Sequence, residues 1–148
     1  MNIRIVREWM TPNPITIAPQ TTLPEAHRSM DEHKVRRLPV MNKGKLVGIV
    51  TRGDIRAAQA SEATTLSVYE LNYLMDRIPA KDFMAHDPIT VTPNATIGEA
   101  ARLMFQHKIG GLPVVENGEL IGMITETDFC RLLMSLPETT ARSESGHL

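Results

Sequence analysis

The sequence predicts a mixed α/β fold: two similar β-α-β-β-α units packed sheet to sheet with pseudo-two-fold symmetry. Residues 10–54 align without a gap on residues 84–128, and 20 of the 45 paired positions are identical. Each copy contains a short apolar strand, a tight turn and a longer apolar strand that ends on Thr-x-x-Asp. A single unit of about 50 residues would leave half of its sheet uncovered, so we expect the two units to bury that face together.

The first two elements of each unit are predicted to be a short strand and a helix. Residues 14–17 and 88–91 are β-rich runs, and a proline that cannot donate to a ladder follows each of them two residues later. Thr22 and Thr96 are each followed three residues later by glutamate, which is the capping-box pattern of a helix start. Apolar residues then recur at helical spacing in both copies.

A hairpin and a second helix are predicted to complete each unit. The hairpins cover residues 38–51 and 112–125, and Asn117-Gly118 is a strong signal for a two-residue turn. The second helices are expected at roughly residues 53–59 and 127–136. The order β-α-β-β-α therefore occurs twice.

The repeat divides the chain into four regions. Residues 1–60 form the first unit, 61–81 a linker helix region, 82–136 the second unit and 137–148 a polar tail that we expect to be disordered. The linker has an apolar, helix-length centre at residues 66–75. Two interpretations stay open for it: a helix packed on its own module, or a dimer surface, since both tyrosines of the chain lie there.

Composition narrows the function classes. The 148 residues are 42% hydrophobic, 22% charged and only 4% aromatic, which predicts a globular chain with an aliphatic core. A net charge of −1 argues against a nucleic-acid-binding surface. The single cysteine, Cys130, excludes an intrachain disulfide and is expected to be a buried small hydrophobe. No apolar segment approaches the ~18 residues of a membrane span, and the N-terminus lacks a secretory signal, so we expect a cytoplasmic protein without membrane contact.

The repeated motifs resemble a family. Leu-Pro-Val at 38–40 and 112–114, the Thr-x-x-Asp endings, and Met-x-x-x-Pro-Ile-Thr at 10–16 and 84–90 together resemble a pair of CBS domains over about residues 8–136. The chain is similar to stand-alone bacterial CBS-pair proteins, including the CBS half of acetoin-utilisation regulators. The resemblance implies a regulatory module with clefts between its repeats that bind AMP, ADP, ATP, S-adenosylmethionine or NAD. It also implies a homodimer, parallel or antiparallel, that acts on an unknown client protein.

The resemblance assigns ligand contacts residue by residue. A carboxylate suits the two hydroxyls of a ribose, and Asp54 and Asp128 would have that role. Thr51 and Thr125 would lie near the sugar or phosphate, beside a helix N-terminus that favours anions. The walls around adenine are expected from eight positions: Ile15, Thr16, Ile17 and Val35 with their equivalents Ile89, Thr90, Val91 and Ile109. A competing interpretation is that Thr-x-x-Asp only caps its helix, although capping and ligand binding can coexist.

The two units differ beside these motifs. The first has three arginines at positions where the second has two glycines and a glutamate: Arg36, Arg37 and Arg52 against Gly110, Gly111 and Glu126. Arginine suits phosphate recognition and glutamate repels it. We therefore expect a cleft bearing Asp54 that prefers phosphorylated nucleotides, and a cleft bearing Asp128 that takes an uncharged or cationic adenosine compound or stays empty. Alternatively, the arginines are solvated surface charges.

Other function classes have weaker support. The sequence has no recognisable catalytic triad setting and no Rossmann or P-loop glycine pattern, so we expect neither an enzyme nor a catalytic cofactor. The five histidines form no metal-binding motif, and no metal site is expected. The main rival is a ligand-free dimeric interaction module that docks on a partner enzyme or transporter through residues 66–78 or Trp9.

Overall fold

The computed structural model describes residues 4–62 and 67–138. Parts of the predicted linker (63–66) and most of the predicted tail (139–148) lie outside the described residues. The elements are, in chain order, α1 (Val6–Trp9), β1 (Thr11–Pro12), α2 (Leu23–His33), β2 (Arg37–Asn42), β3 (Lys45–Thr51), α3 (Arg52–Glu62), α4 (Val68–Met75), α5 (Ala80–Phe83), β4 (Ala85–His86), α6 (Ile97–His107), β5 (Gly111–Glu116), β6 (Glu119–Thr125) and α7 (Glu126–Ser135).

The elements repeat with the offset of the sequence. α1 to α3 correspond to α5 to α7, and the three strands of the first unit correspond to those of the second. Only α4, within the predicted linker, has no counterpart among the described elements. The predicted fold class is confirmed: a mixed α/β structure with two small antiparallel sheets, and β-α-β-β-α twice.

Each sheet contains strands from both units. One sheet has the order β1-β6-β5 and the other β2-β3-β4, so each hairpin is extended by a two-residue strand of the other unit. Thr11 pairs with Met123, and Ala85 pairs with Ile49. β3 and β6 also contact each other directly. The units are therefore joined through exchanged edge strands as well as through their faces.

The first strand of each unit was predicted at residues 14–17 and 88–91, and that prediction was wrong. The strands β1 and β4 lie earlier in the chain, at Thr11–Pro12 and Ala85–His86. Each of the two predicted runs forms a single parallel bridge, between Ile17 and Val40 and between Val91 and Val114. Ile17 N–H donates to the Pro39 carbonyl at 3.0 Å, and Met41 N–H donates to the Ile17 carbonyl at 2.8 Å. Prolines bound the run on both sides, and Pro39 opposite also lacks an N–H, so a longer ladder has too few donors.

The hairpins form as predicted. Asn117 and Gly118 have φ of 53° and 80°, and Lys43 and Gly44 have 52° and 79°. Two successive positive φ angles are the conformation of a type I′ turn, whose twist matches that of the flanking strands. Both hairpins also contain an irregularity after the valine of Leu-Pro-Val.

The two capping boxes behave differently. Before α6, Glu99 N–H donates to Thr96 Oγ1 at 3.0 Å and Thr96 N–H donates to Glu99 Oε2 at 3.2 Å. Before α2, Thr22 makes no side-chain cap bond, so the predicted capping box is absent there. Pro24 stands where α6 has Gly98, and its ring fixes φ and restricts how the first turn closes on the threonine.

Each unit has its own aliphatic core, and each core includes a residue from the start of the other unit. Val6, at the start of the chain, is fully buried in the cluster of Leu112, Val114 and Ile124. Ala80 is equally buried in the cluster of the first unit. The aliphatic core is as predicted. α1 therefore packs on the second unit, where β1 pairs with β6, and α5 packs on the first unit, where β4 pairs with β3.

Two further expectations concern surface residues. In the linker, α4 buries Met75 in the first core while Tyr69 is 88% exposed, so the helix packs on its own module and turns a tyrosine outwards. Cys130 is exposed, and the prediction of a buried thiol was wrong. α7 buries Leu132 instead, on a different side of the helix from Cys130. No helix among the described residues has the length and apolar character needed to cross a bilayer.

Candidate functional site

A cavity of about 1060 Å³ lies between the two units. The first unit contributes the end of α2, the start of β2 and the junction of β3 with α3; the second contributes β4, the loop after it and residues 108–111. Half of the fourteen residues predicted for ligand binding line this single cavity: Val35, Arg37, Thr51, Arg52, Asp54, Ile89 and Ile109.

The other seven predicted residues do not line this cavity: Ile15, Thr16, Ile17, Thr90, Val91, Thr125 and Asp128. Val91 is buried in the second core and Ile17 packs against the first. Thr16 and Thr90 are exposed elsewhere. The branched aliphatic side chains that do line the cavity are Val35 and Ile49 of the first unit and Ile89 and Ile109 of the second.

Several lining residues were not anticipated from the sequence. They are Asp31, Lys34, Arg56, His86, Asp87 and Lys108. His86 and Asp87 enter because β4 pairs with β3, and a strand of two residues gives no sequence signal of its own. Lys34 and Lys108 match across the repeat, which was the only available hint that both lie at the cleft between units.

Asp54 is both a helix cap and a wall of the cavity. Thr51 N–H donates to Asp54 Oδ2 at 2.9 Å, and Asp54 N–H donates to Thr51 Oγ1 at 3.1 Å. Within the described residues, Asp54 Oδ1 accepts no hydrogen bond. Asp54 therefore caps α3 as the capping interpretation expects, and one of its carboxylate oxygens remains for another donor.

Arg37 fills a space that the second unit leaves by having glycines. A Cβ added at Gly111 would lie 3.0 Å from Arg37 Cδ, and one at Gly110 would collide with the guanidinium of Arg37 and the carboxylate of Glu126. Burial lowers the pKa of Arg37, while the nearby Glu126 carboxylate acts in the opposite direction. The guanidinium stays charged because its ordinary pKa is far above neutral.

The cavity wall is positively charged. Six lysines and arginines line it against three aspartates: Lys34, Arg36, Arg37, Arg52, Arg56 and Lys108 against Asp31, Asp54 and Asp87. One cation is paired, since Arg52 Nη2 donates to Asp31 Oδ1 at 2.8 Å. That hydrogen bond holds the pKa of Asp31 below its ordinary value. A concave site with an excess of cations favours an anionic occupant.

Asp128, the counterpart of Asp54, is in a different state. It is 4% exposed, and its Oδ2 accepts from Thr125 N–H at 2.9 Å. Its Oδ1 accepts from Arg131 Nη2 at 3.0 Å and, in a longer contact of 3.5 Å, from Thr11 Oγ1. Both oxygens of Asp128 are therefore bound by the chain itself.

The chain has relatives of several kinds. It is 43% identical over 136 residues to an inosine-5'-monophosphate dehydrogenase of Korarchaeum cryptofilum; the match covers 90% of this chain and spans only 25% of that enzyme. The structure superposes on an acetoin utilization protein (AcuB) from Vibrio cholerae with a TM-score of 0.76 and 34% identity, over 90% of this chain and 92% of the other.

Two further structures contain ligands. The CBS domain pair of protein MJ0100, in complex with 5-methylthioadenosine and S-adenosyl-L-methionine, superposes with a TM-score of 0.77 at 27% identity, over 90% of this chain and 98% of that chain. CBSX2 in complex with AMP superposes with a TM-score of 0.73 at 30% identity, over 88% of this chain and 96% of that chain.

The family assignment follows from the repeat itself. The family model of the CBS domain matches residues 6–61 and 80–135, which are the two units described above. The resemblance inferred from Leu-Pro-Val and Thr-x-x-Asp is thereby confirmed, as is the similarity to acetoin-utilisation proteins. The chain belongs to the CBS domain family and carries two CBS domains in tandem.

Proposed function

We propose that the chain is a regulatory module that binds a phosphorylated adenosine compound in the cavity bearing Asp54. The observation that carries this proposal is the composition of the wall. A carboxylate with an unused oxygen, an excess of cations and four branched aliphatic side chains face one space of about 1060 Å³. That volume is at the upper end of the ~300–1,000 Å³ of ordinary ligand pockets and is sufficient for a nucleotide.

Each part of a nucleotide has a matching group. Asp54 Oδ1 would accept hydrogen bonds from the ribose hydroxyls. The N-terminus of α3 turns the positive end of its helix dipole toward a phosphate, with Arg37 and Arg52 to balance the phosphate charge. Val35 and Ile109 would pack on the two faces of the adenine. The ligand would therefore contact both units at once and hold them together.

The related structures support the ligand class. CBSX2 is in complex with AMP, and the MJ0100 pair is in complex with two adenosine compounds. In this chain the positive wall favours AMP, ADP or ATP over S-adenosylmethionine, whose sulfonium is cationic. We further propose that the module is a cytoplasmic homodimer without catalytic activity, and that ligand occupancy is read by a client protein.

Calorimetric titration with AMP, ATP and S-adenosylmethionine tests the proposal. Binding of AMP or ATP is expected to weaken at least tenfold in Asp54→Ala and in Arg37→Ala, because each removes a charge-assisted contact of about 1.5–3 kcal/mol. Arg102→Ala is the matched control, since Arg102 is exposed on α6 and does not line the cavity. Absence of heat with all three compounds, at protein concentrations that reveal weak binding, would contradict an adenosine-binding function.

The alternative is an interaction module that needs no ligand. The observation in its favour is the exposed face of α4, where Tyr69 is almost fully exposed and Tyr73 is stacked under the Arg77 guanidinium at 3.6 Å. A thermal-shift series separates the two functions, because a ligand that binds the native state raises the melting temperature by mass action. No shift with any adenosine compound, combined with capture of a partner that Tyr69→Ser abolishes, would support the alternative.

A further inference from the structure

We infer that the cleft bearing Asp128 is closed by the chain's own Arg131 and Thr11, so that each chain holds one adenosine ligand rather than two. The number of ligands rests on the proposed function, whereas the closure of the second cleft rests on the contacts of Asp128 and Arg131 with each other and with residues 9–11. The difference between the clefts then lies at two positions that are not conserved between the repeats, those of Thr11 and Arg131.

Arg131 occupies the side of Asp128 that a ribose would need. Its Nη2 donates to Asp128 Oδ1 at 3.0 Å and to the Trp9 carbonyl at 3.0 Å. The guanidinium carbon lies 5.4 Å from the centre of the Trp9 ring, within the range of a cation–π contact. Trp9 belongs to α1, at the start of the first unit, so this contact joins α1 to α7 of the second unit beside Asp128.

Thr11 adds to the closure from the exchanged strand. β1 pairs with β6, and this pairing brings Thr11 Oγ1 to 3.5 Å from Asp128 Oδ1. A ribose hydroxyl would have to displace a charged donor and a hydroxyl from a carboxylate that is 4% exposed. The Arg131 side chain is 55% exposed, yet displacing it would leave the buried Asp128 carboxylate without its charged donor unless the ligand supplied an equivalent hydrogen bond.

The cleft bearing Asp54 has no counterpart of either residue. Ala57 stands at the position of Arg131, and Ala85 stands at the position of Thr11. Asp54 accordingly has the same cap bond as Asp128 from the threonine N–H but no partner on Oδ1 among the described residues. Because alanine stands at both equivalent positions, Asp54 keeps an available carboxylate oxygen, whereas both oxygens of Asp128 are bound by the chain.

Two further differences between the units also disfavour a phosphorylated ligand in the second cleft. Glu126 takes the place of Arg52, and Cys130 takes the place of Arg56. A cleft without these cations would not attract phosphate even if Arg131 moved away. The probe for an opened second cleft is therefore adenosine, which carries no charge.

The test uses Trp9, the single tryptophan of the chain, as a reporter of the second cleft. In the wild type, we expect calorimetry to give one AMP per chain, lost in Asp54→Asn, with Trp9 emission unchanged at saturation. The opening variant is Thr11→Ala combined with Arg131→Met, which keeps an aliphatic stem against Trp9 and removes both donors. In that variant we expect adenosine to change Trp9 emission saturably, and a further Asp128→Asn change to abolish the response.

Each contrary result has a defined meaning. Two AMP molecules per wild-type chain, or a saturable change in wild-type Trp9 emission that Asp128→Asn removes, would show that the second cleft is open and overturn the inference. A folded opening variant with no response to adenosine would overturn it as well; its circular dichroism and melting curve establish the folding. Absence of AMP binding in the wild type would count against the proposed function, while the adenosine comparison of the two proteins would still decide the closure.

Discussion

At the scale of single residues, Arg52 has two competing partners. Its guanidinium donates to Asp31 at 2.8 Å, and both side chains line the cavity that we assign to a phosphorylated ligand. Asp31 is exposed and carries a negative charge at neutral pH, since Arg52 holds its pKa below the ordinary value. A phosphate entering the cavity therefore meets a like charge at Asp31 and an arginine that is already engaged.

Replacing Asp31 with asparagine is expected to strengthen AMP binding roughly three- to tenfold. The change removes the negative charge that repels the phosphate and releases Arg52 to donate to it. Calorimetric titration measures the effect, and the gain should shrink as salt is raised. Asp76→Asn is the control, because Asp76 is exposed and does not line the cavity. Equal or weaker binding in Asp31→Asn would mean that the ion pair positions Arg52 rather than competing for it.

The sequence predicted the residues of the site only where the repeat marks them. Asp54 and Thr51 recur in both units, and the arginines at 37 and 52 were found as departures from the repeat. Ala57 and Arg131 differ in the same way, and an arginine three residues after Asp128 on one helix is at a spacing that allows an ion pair. The contacts of Thr11 and Trp9 with this pair were not predictable, because they require knowing which segment of the chain crosses in front of Asp128.

At the scale of secondary structure elements, the two long helices after the first strands begin with the same pattern but form different caps. Thr96 accepts from Glu99 N–H at 3.0 Å, whereas Thr22 makes no side-chain cap bond. Both helices have eleven residues and end on a lysine in the left-handed conformation, with φ of 55°. Thr22 and Thr96 are therefore equivalent N-cap residues, of which only Thr96 makes the side-chain cap bond.

Thr96→Ala should lower the free energy of unfolding by about 1 kcal/mol, the usual effect of losing an N-cap side chain. Thr22→Ala should change it by no more than a few tenths, because its hydroxyl does not cap α2. Chemical denaturation of the two variants against the wild type measures both values. Equal losses would show that Thr22 also caps its helix in solution.

Local signals determined how well each element could be predicted. The Asn-Gly turn and the 3.6-residue periodicity describe interactions within a few residues, and the hairpins and α6 were predicted correctly for that reason. The first strands were misplaced because β1 and β4 have two residues each and exist only through pairing with β6 and β3. Cys130 was misplaced because an apolar helix segment does not show which side faces the core.

At the scale of the whole molecule, the two units are interlocked because the first helix and first strand of each unit pack on the other unit. α1 and β1 pack on the second unit, while α5 and β4 pack on the first. Neither core is complete without residues from the other side of the repeat boundary. The exchange was not predictable from the offset of the repeat, because a regular repeat is equally compatible with each segment packing on its own unit.

Val6→Ala tests the exchange. Val6 is fully buried in the second core, and its equivalent in the first unit is already alanine, Ala80. Truncation should lower the free energy of unfolding by about 1–3 kcal/mol, from lost apolar burial and the cavity left behind. Native-state hydrogen exchange should show the larger loss of protection in β5 and β6, far along the chain, rather than in β2 and β3, the nearest long strands in sequence.

Arg7→Ala provides the comparison for Val6→Ala on the same helix. Arg7 is exposed and pairs with Glu116 at the surface, and such ion pairs contribute about 0–1 kcal/mol. A small effect of Arg7→Ala beside a large effect of Val6→Ala locates the stabilisation in the buried side chain. If protection in Val6→Ala fell mainly in β2 and β3, the N-terminal helix would pack on its own unit and the exchanged arrangement would be wrong. Protection lost in β5 and β6 would instead show that the first nine residues help to fold a unit that begins more than seventy residues later, because the second core is incomplete without them.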